Sequence, residues 1–390
     1  MNSIFEKDKT YVAGTYGRFN LQLVRGKGAL AWDADGKQYV DLGSGIAVNA
    51  FGYADDEWIA AVTAQLGALP HTSNLYYTSP CAELAEQLCT RTGMKKVFFG
   101  NSGAEANECA IKAARKWGLD TYGEGHSIII TLKNSFHGRT IATLTATGQD
   151  SFHTNFGPFP GGFVYAEANN LDSVRALAEQ NACCAVMLEI VQGEGGVLAL
   201  DQEFLAGVQA LCEEKGMLFV VDEVQTGNGR CGALYAYMRY DGLKPDIVTT
   251  AKGLGGGLPI GACMLGEKVE NTLTPGTHGS TFGGNPAVCA GALNILKRID
   301  DKLLADVRAK SDYIVSELSG ADGVKSVSGM GLMLGVETVR PAREVVERGI
   351  ERGVLALTAK AKVRLLPPLT ITMDELKQAV ALLKDALKPE

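Results

Sequence analysis

Short apolar runs rich in β-branched residues alternate along this chain with longer stretches whose apolar positions recur at helical spacing. The runs predict buried strands and the stretches amphipathic helices. Val97–Phe99, Ser127–Thr131, Ala185–Val191, Met217–Asp222 and Ile247–Thr250 are the expected strands, with Cys263–Leu265 adding one more. Ala104–Trp117, Leu171–Glu179 and Phe204–Lys215 are the helices between them. Such alternation implies an α/β fold with a mainly parallel sheet covered on both faces. Before this block, Trp32–Asp41 predicts a hairpin around an Asp-Ala-Asp-Gly turn, followed by helices over Asp55–Leu66 and from an N-capping Ser79 to Thr90. After it come helices over Ala287–Arg298 and Leu303–Leu318 and a short strand over Leu332–Val336. The expected organisation is an N-terminal arm and hairpin (1–45), a large domain (46–275) and a smaller α/β domain (276–390) that packs with the hairpin.

Composition narrows the function classes. The chain has 390 residues, 46% hydrophobic and 21% charged, the balance of a globular protein with a large core. Its net charge of −7 argues against sequence-independent nucleic-acid binding, which needs a basic face. No apolar run approaches the ~20 residues that span a bilayer, and Met1 to Lys9 lacks the apolar core of a signal peptide. The nine cysteines are odd in number and form no CxxC pair, which fits reduced core residues in a cytoplasmic protein. The five histidines show no metal-ligand spacing, so no metal is expected.

Ligands of such sheets bind beyond the carboxyl ends of the strands, and four strand ends here carry chemistry. Asp246-Ile247-Val248-Thr249-Thr250-Ala251-Lys252 runs into Gly253-Leu254-Gly255-Gly256-Gly257, which places one lysine past a buried strand beside glycines. Desolvation there lowers a lysine pKa, and a neutral amine forms a Schiff base with an aldehyde. Phe99-Gly100-Asn101-Ser102-Gly103-Ala104 leads a strand into a helix whose first N–H groups suit a phosphate, or simply a serine-capped helix. Ser135-Phe136-His137-Gly138-Arg139 offers an aromatic for a flat ring and a guanidinium for a carboxylate, or a polar turn with a packing Phe. Leu218-Phe219-Val220-Val221-Asp222 ends in a carboxylate that suits a pyridinium nitrogen, or caps the next turn. Neither a dinucleotide glycine fingerprint nor a P-loop occurs.

An aldehyde-binding lysine, a ring-nitrogen carboxylate, an aromatic for a ring face and a phosphate-binding helix start are together what pyridoxal phosphate requires. From Tyr16 to Leu369 the chain resembles the class III aminotransferases of the acetylornithine/ornithine type, with the aspartate-aminotransferase-like fold (fold type I). The resemblance implies pyridoxal 5'-phosphate as cofactor, with Lys252 as the Schiff-base lysine, Asp222 at the ring nitrogen and Gln225 near the phenolic oxygen. It implies Ser102, Gly103 and Ala104 at the phosphate, Phe136 on the ring and Arg139 on a substrate carboxylate. In His278-Gly279-Ser280-Thr281-Phe282-Gly283-Gly284-Asn285-Pro286 it implies that Thr281 reaches the phosphate of a neighbouring subunit, in a homodimer with shared sites, and that Ser280 lies near the substrate. Glu189, opening Glu-Ile-Val-Gln-Gly-Glu-Gly-Gly, and Arg364 are expected to pair as a switch between two unlike substrates.

The implied reaction moves the terminal amino group of N2-acetyl-L-ornithine to 2-oxoglutarate by ping-pong kinetics, in arginine biosynthesis. Ornithine, succinylornithine and 4-aminobutyrate are alternative donors; a racemase or aminomutase on the same fold, or a phosphate-binding module, are alternatives of other kinds. Three positions depart from the family pattern: Asn20, Tyr53 and Ile190.

Overall fold

The computed structural model describes residues 3–389; the outermost residues of the first and last expected units, 1–2 and 390, lie outside the described residues. The centre of the fold is a seven-stranded sheet in the order Lys96–Gly100, Gly261–Leu265, Ile247–Thr250, Leu218–Asp222, Cys183–Leu188, Ile128–Leu132, Phe163–Ala166. All neighbours pair in parallel except Gly261–Leu265, which is antiparallel to the strands on either side of it. Strand side chains alternate between faces, and the core splits accordingly. Leu218, Val220 and Ile247 cluster with Cys109, Ala110 and Ala113 of the helix Gly103–Tyr122, while Phe219, Val221 and Val248 belong to the larger cluster on the other face. The two-faced burial is why these strands read as continuous apolar runs rather than alternating ones.

A four-stranded antiparallel sheet, Val324–Met330, Met333–Thr338, Lys362–Leu365 and Leu357–Ala359, lies in the C-terminal part. It packs with the helices Asp301–Leu318 and Ala342–Arg352, against which the helix Met373–Leu387 packs in turn. The hairpin strands Leu30–Asp33 and Gln38–Asp41 form a separate sheet with Leu23–Lys27, and Val354–Leu355 joins it beside Gln38–Asp41. The first and last parts of the chain thus share a sheet.

Several expected boundaries move. Thr78, with extended backbone, is the N-cap of the helix Ser79–Thr92, so Ser79 is its first residue rather than its cap. The strand expected through Val191 stops at Leu188; Val191–Gln192 turns away to pair with Leu198–Ala199. Within the N-terminal arm, Ile4–Tyr11 form a helix that starts at a Ser3–Glu6 capping box and buries no side chain. The nine cysteines are all free. Among the described residues there is no cluster of potential metal ligands, and no helix is long and apolar enough to cross a membrane.

Candidate active site

A cavity of about 640 Å³ opens at the carboxyl edge of the central sheet. Ser102, Gly103, Ala104, Phe136, Arg139, Glu189, Asp222, Gln225 and Lys252 all line it, although they come from segments spread over 150 residues. Each arrives for a local reason. Lys252 follows the buried strand Ile247–Thr250 and sits at φ +43°, a left-handed conformation that costs a non-glycine residue of order 1–3 kcal/mol. Among the described residues its ammonium makes no hydrogen bond. Burial lowers its pKa, aided by Arg364, while Glu194, Asp222 and Glu189 act in the opposite sense.

Ser102 caps the helix Gly103–Tyr122 by accepting the Glu105 N–H at 3.2 Å. The N–H groups of Gly103 and Ala104 stand in the first turn, where no upstream carbonyl takes them. A Cβ on Gly103 would come within 2.6 Å of Val224, so only glycine lets the helix start approach that side chain. Gln225 packs similarly against Gly193, where a Cβ would meet its amide at 2.6 Å.

Asp222 ends its strand 3% exposed and makes three contacts. Its Oδ2 faces Asn107 Nδ2 at 2.7 Å and His137 Nδ1 at 2.8 Å, and its Oδ1 accepts the Val224 N–H at 2.9 Å. Thr249 Oγ1 donates to Asn107 Oδ1 at 2.7 Å, which fixes the amide's orientation. Every partner of the carboxylate is a donor or a histidine, and together they fix it in the cavity lining.

Arg139 is exposed, its guanidinium 4.1 Å from the Phe152 ring centroid and 5.5 Å from that of Phe136. It has no ion-pair partner among the described residues, which leaves its fork free for a carboxylate.

The expected Glu189–Arg364 pair is not made. Arg364 Nη1 bonds the Glu194 carboxylate and, at 3.0 Å, Gln225 Oε1. Glu189 accepts the Phe136 N–H at 2.9 Å, and burial with Asp222 nearby pushes its pKa well above the usual carboxyl range. The partners differ because the strand ends early, at Leu188. The turn beyond it leaves the first glutamate of Glu-Ile-Val-Gln-Gly-Glu at the cavity floor and carries the second across to Arg364.

Ser280 and Thr281 do not line the cavity. Ser280 Oγ accepts from Asn101 Nδ2 at 3.1 Å and from the Gly283 N–H at 2.9 Å, while Thr281 is exposed. Of the three departures from the family pattern, none touches the cavity. Tyr53 donates to the buried Asp41 at 2.7 Å and Ile190 is a core residue.

Sequence reasoning missed Asn107, His137, Thr249, Val224, Glu194 and Tyr16. His137 and Glu194 stood inside quoted motifs and could have been raised by their chemistry. Thr249 and Asn107 carry no such mark, since a threonine in a strand and an asparagine in a helix are ordinary.

The family model for class-III aminotransferases matches residues 11–387. The chain belongs to the class-III aminotransferase family. This class-III aminotransferase is 51% identical over 388 residues to the acetylornithine aminotransferase of Haemophilus ducreyi, covering 99% of this chain and 98% of that protein. Its structure is similar to that of the N-acetylornithine aminotransferase of Stenotrophomonas maltophilia, at a TM-score of 0.85 and 34% identity, with 98% of each chain covered. It is also similar to the ornithine aminotransferase of Toxoplasma gondii, at a TM-score of 0.93 and 32% identity, covering 98% of this chain and 93% of that one. The Toxoplasma enzyme carries pyridoxal phosphate, at partial occupancy, in its active site.

Proposed function

We propose that this class-III aminotransferase uses pyridoxal 5'-phosphate to move the terminal amino group of N2-acetyl-L-ornithine to 2-oxoglutarate, giving N-acetyl-L-glutamate 5-semialdehyde and L-glutamate. The observation that carries the reading is the convergence of a desolvated Lys252 and the hydrogen-bonded Asp222 carboxyl on one cavity that a helix N-terminus also borders. The donor set fits the cofactor: an amine for its aldehyde, a carboxylate for its ring nitrogen, two free N–H groups for its phosphate. Phe136 and Val224 supply apolar cover for a flat ring, and Gln225 a polar contact for its rim. When bound, the cofactor supplies an electron sink that makes the hydrogen on the substrate's amine-bearing carbon acidic.

The chain's own residues do the rest. Lys252 Nζ is the group that takes and returns that proton, and its lowered pKa raises the share of free amine. Asp222 keeps a proton on the ring nitrogen, and Asn107 and His137 hold the carboxylate in place. Arg139 binds the α-carboxylate of a donor whose reacting amine lies at its far end. Glu194 masks Arg364 during that half of the cycle. When 2-oxoglutarate enters, Arg364 leaves Glu194 for a carboxylate of the acceptor.

A homodimer with shared sites belongs to the same reading. Thr281 is exposed and away from its own cavity. Around it Leu75, Tyr76, Tyr77 and Phe282 stand exposed, and the Asn74 amide ties the two loops together by donating to Ser280 O at 3.0 Å and Gly283 O at 2.8 Å. An apolar patch of this kind suits a second copy.

The deciding experiment is a donor screen against 2-oxoglutarate with the cofactor-loaded protein. Acetylornithine should give the highest kcat/KM; a higher value for ornithine, succinylornithine or 4-aminobutyrate would reassign the donor.

A further inference from the structure

The segment Arg364 to Leu369 contains Pro367 and Pro368, which have no N–H with which to anchor a backbone. Arg364 and Leu365 still lie in the strand ladder, and the Leu366 and Leu369 N–H groups donate to the carbonyls of Leu42 and Ala50. Beyond the strand, side chains hold the segment's carbonyls. Arg230 Nη1 donates to the carbonyl of Pro367 and, at 3.1 Å, to that of Leu332. Lys310 Nζ donates to the carbonyl of Leu369 at 2.8 Å, and Ser44 Oγ to that of Leu366 at 2.6 Å.

Arg230 is the unusual member. It is 2% exposed, its Nη2 has no partner, and no carboxylate pairs with it among the described residues. A buried cation without a counter-charge is costly, and an apolar side chain would fill the space at less cost. What the guanidinium adds is a planar, directed donor, whose Nη1 alone reaches two carbonyls from different segments. The main chain reinforces the link: Leu332 N–H donates to Arg230 O at 2.9 Å, and Gly331, at φ +57°, lies where a Cβ would come within 2.6 Å of that oxygen.

Two short stretches therefore face each other and are tied at both ends. One runs from Gln225 to Arg230, just past the strand of Asp222. The other runs from Arg364 to Pro367. Arg364 meets Gln225 at one end, and Arg230 meets Pro367 at the other. We propose that Arg230 is a positioning residue for the acceptor: it fixes where Arg364 stands relative to Gln225 and Glu194, and so sets the preference for a dicarboxylic 2-oxo acid. This rests on the reading of Arg364 as the acceptor's carboxylate partner. The strand ladder holds Arg364 from both sides, and the clamp fixes the chain just where it leaves that ladder. Without the clamp the strand end, with Arg364 one residue inside it, can shift. A bidentate ion pair is sensitive to such a shift. The donor half-reaction, in which Arg364 is masked, is not.

The test compares Arg230→Met, Arg230→Lys and wild type as cofactor-loaded enzymes. Donor and acceptor half-reactions are followed separately, and calorimetry measures the binding of glutarate, a dicarboxylate with no reactive carbonyl. Arg230→Met should weaken glutarate and raise the KM for 2-oxoglutarate by about tenfold, with about twofold change in the donor half-reaction. Arg230→Lys should recover part of the loss. Equal losses in both half-reactions, or unchanged glutarate binding in folded Arg230→Met, would overturn the proposal. Should the Met variant fail to fold, the Lys variant decides: a selective acceptor loss supports the clamp, and a parallel loss or none overturns it. If Arg364→Ala binds glutarate as tightly as wild type, the reading of Arg364 itself fails, and the proposal with it.

Discussion

Asn107 Nδ2 lies 2.7 Å from Asp222 Oδ2 and 2.7 Å from the carbonyl of His137, so one amide fixes a carboxylate and the loop that bears Phe136 and Arg139. Asn107 stands one turn inside the helix that Ser102 caps. The phosphate end and the ring-nitrogen end of the cavity are thereby parts of one rigid unit. Asn107→Leu removes a bond to a charged acceptor, worth about 1.5–3 kcal/mol. Cofactor affinity, measured by equilibrium dialysis, should fall about tenfold or more, with circular dichroism unchanged. Unaltered affinity in a folded variant would show that His137 alone suffices to orient Asp222.

Lys252→Ala should retain the fold and lose covalent attachment of the cofactor. Borohydride treatment followed by mass spectrometry reads this directly; a modified lysine in the variant would displace Lys252 from its role. The φ of +43° adds a second outcome. Apo Lys252→Gly should be more stable than apo Lys252→Ala by about 1 kcal/mol in denaturant melts, because glycine adopts that conformation without strain.

Glu194→Gln removes the charge that masks Arg364. The ratio of kcat/KM for acetylornithine to that for glutamate should drop about tenfold, since a free arginine favours α-amino donors and hinders terminal-amine ones. Glu189→Gln should leave that ratio near wild type. A ratio that moves with Glu189 and not with Glu194 would restore the pairing read first from the sequence.

Glu223 supplies a pH signature. It is buried beside Asp222, accepts from Thr226 Oγ1 at 2.5 Å and from the Tyr237 N–H at 2.8 Å, and desolvation raises its pKa from 4.5 to about 7. As pH rises, the unfolded chain releases this proton near pH 4.5 while the folded one holds it to about 7, so the carboxyl's favourable contribution is full below 4.5 and lost by 7. Glu223→Gln keeps an acceptor for Tyr237 and does not titrate. Its stability relative to wild type should therefore increase across that window, by at most about 3 kcal/mol. A difference that is flat with pH would mean Glu223 ionises normally.

Shared sites can be tested by mixing. Lys252→Ala and Thr281→Ala protomers, each inactive alone, should regain about a quarter of wild-type activity after random reassortment, because half the dimers then carry one intact site. No recovery in verified mixed dimers would place Thr281 outside the partner's site.

The sheet and the cavity residues were legible in the chain because both depend on local pattern. A strand buried on both faces is a nearly continuous run of uncharged residues, and its end is marked by the first charged one, as at Asp222 and, two residues past Thr250, Lys252. What was not legible depends on where the backbone goes next. Nothing in Glu-Ile-Val-Gln-Gly-Glu announces that the sheet ends at Leu188, yet that turn decides which glutamate meets Arg364. Asn107 and Thr249 were invisible for a different reason: their hydrogen bonds link residues 142 positions apart, and no single window contains both. The same holds for Arg230, whose partners lie more than a hundred residues away.

The antiparallel strand Gly261–Leu265 imposes an order on the folding of the chain. Gly261 pairs with Gly100 and packs where a Cβ would overlap the Ser102 carbonyl, and Ala262 pairs with Thr250. The loop that presents Ser102 therefore has no neighbour on its inner side until a segment some 160 residues later in the chain has been synthesised and inserted. Contacts of such separation form slowly, because closing a long loop is costly in entropy. Until then Lys96–Gly100, whose one strand partner is Gly261–Leu265, is unpaired on both sides, rich in apolar side chains and free to pair with the wrong strand. A ribosome-bound chain halted before Gly261 should thus be prone to aggregation and unable to retain cofactor, and release from both should come together as that one strand slides home.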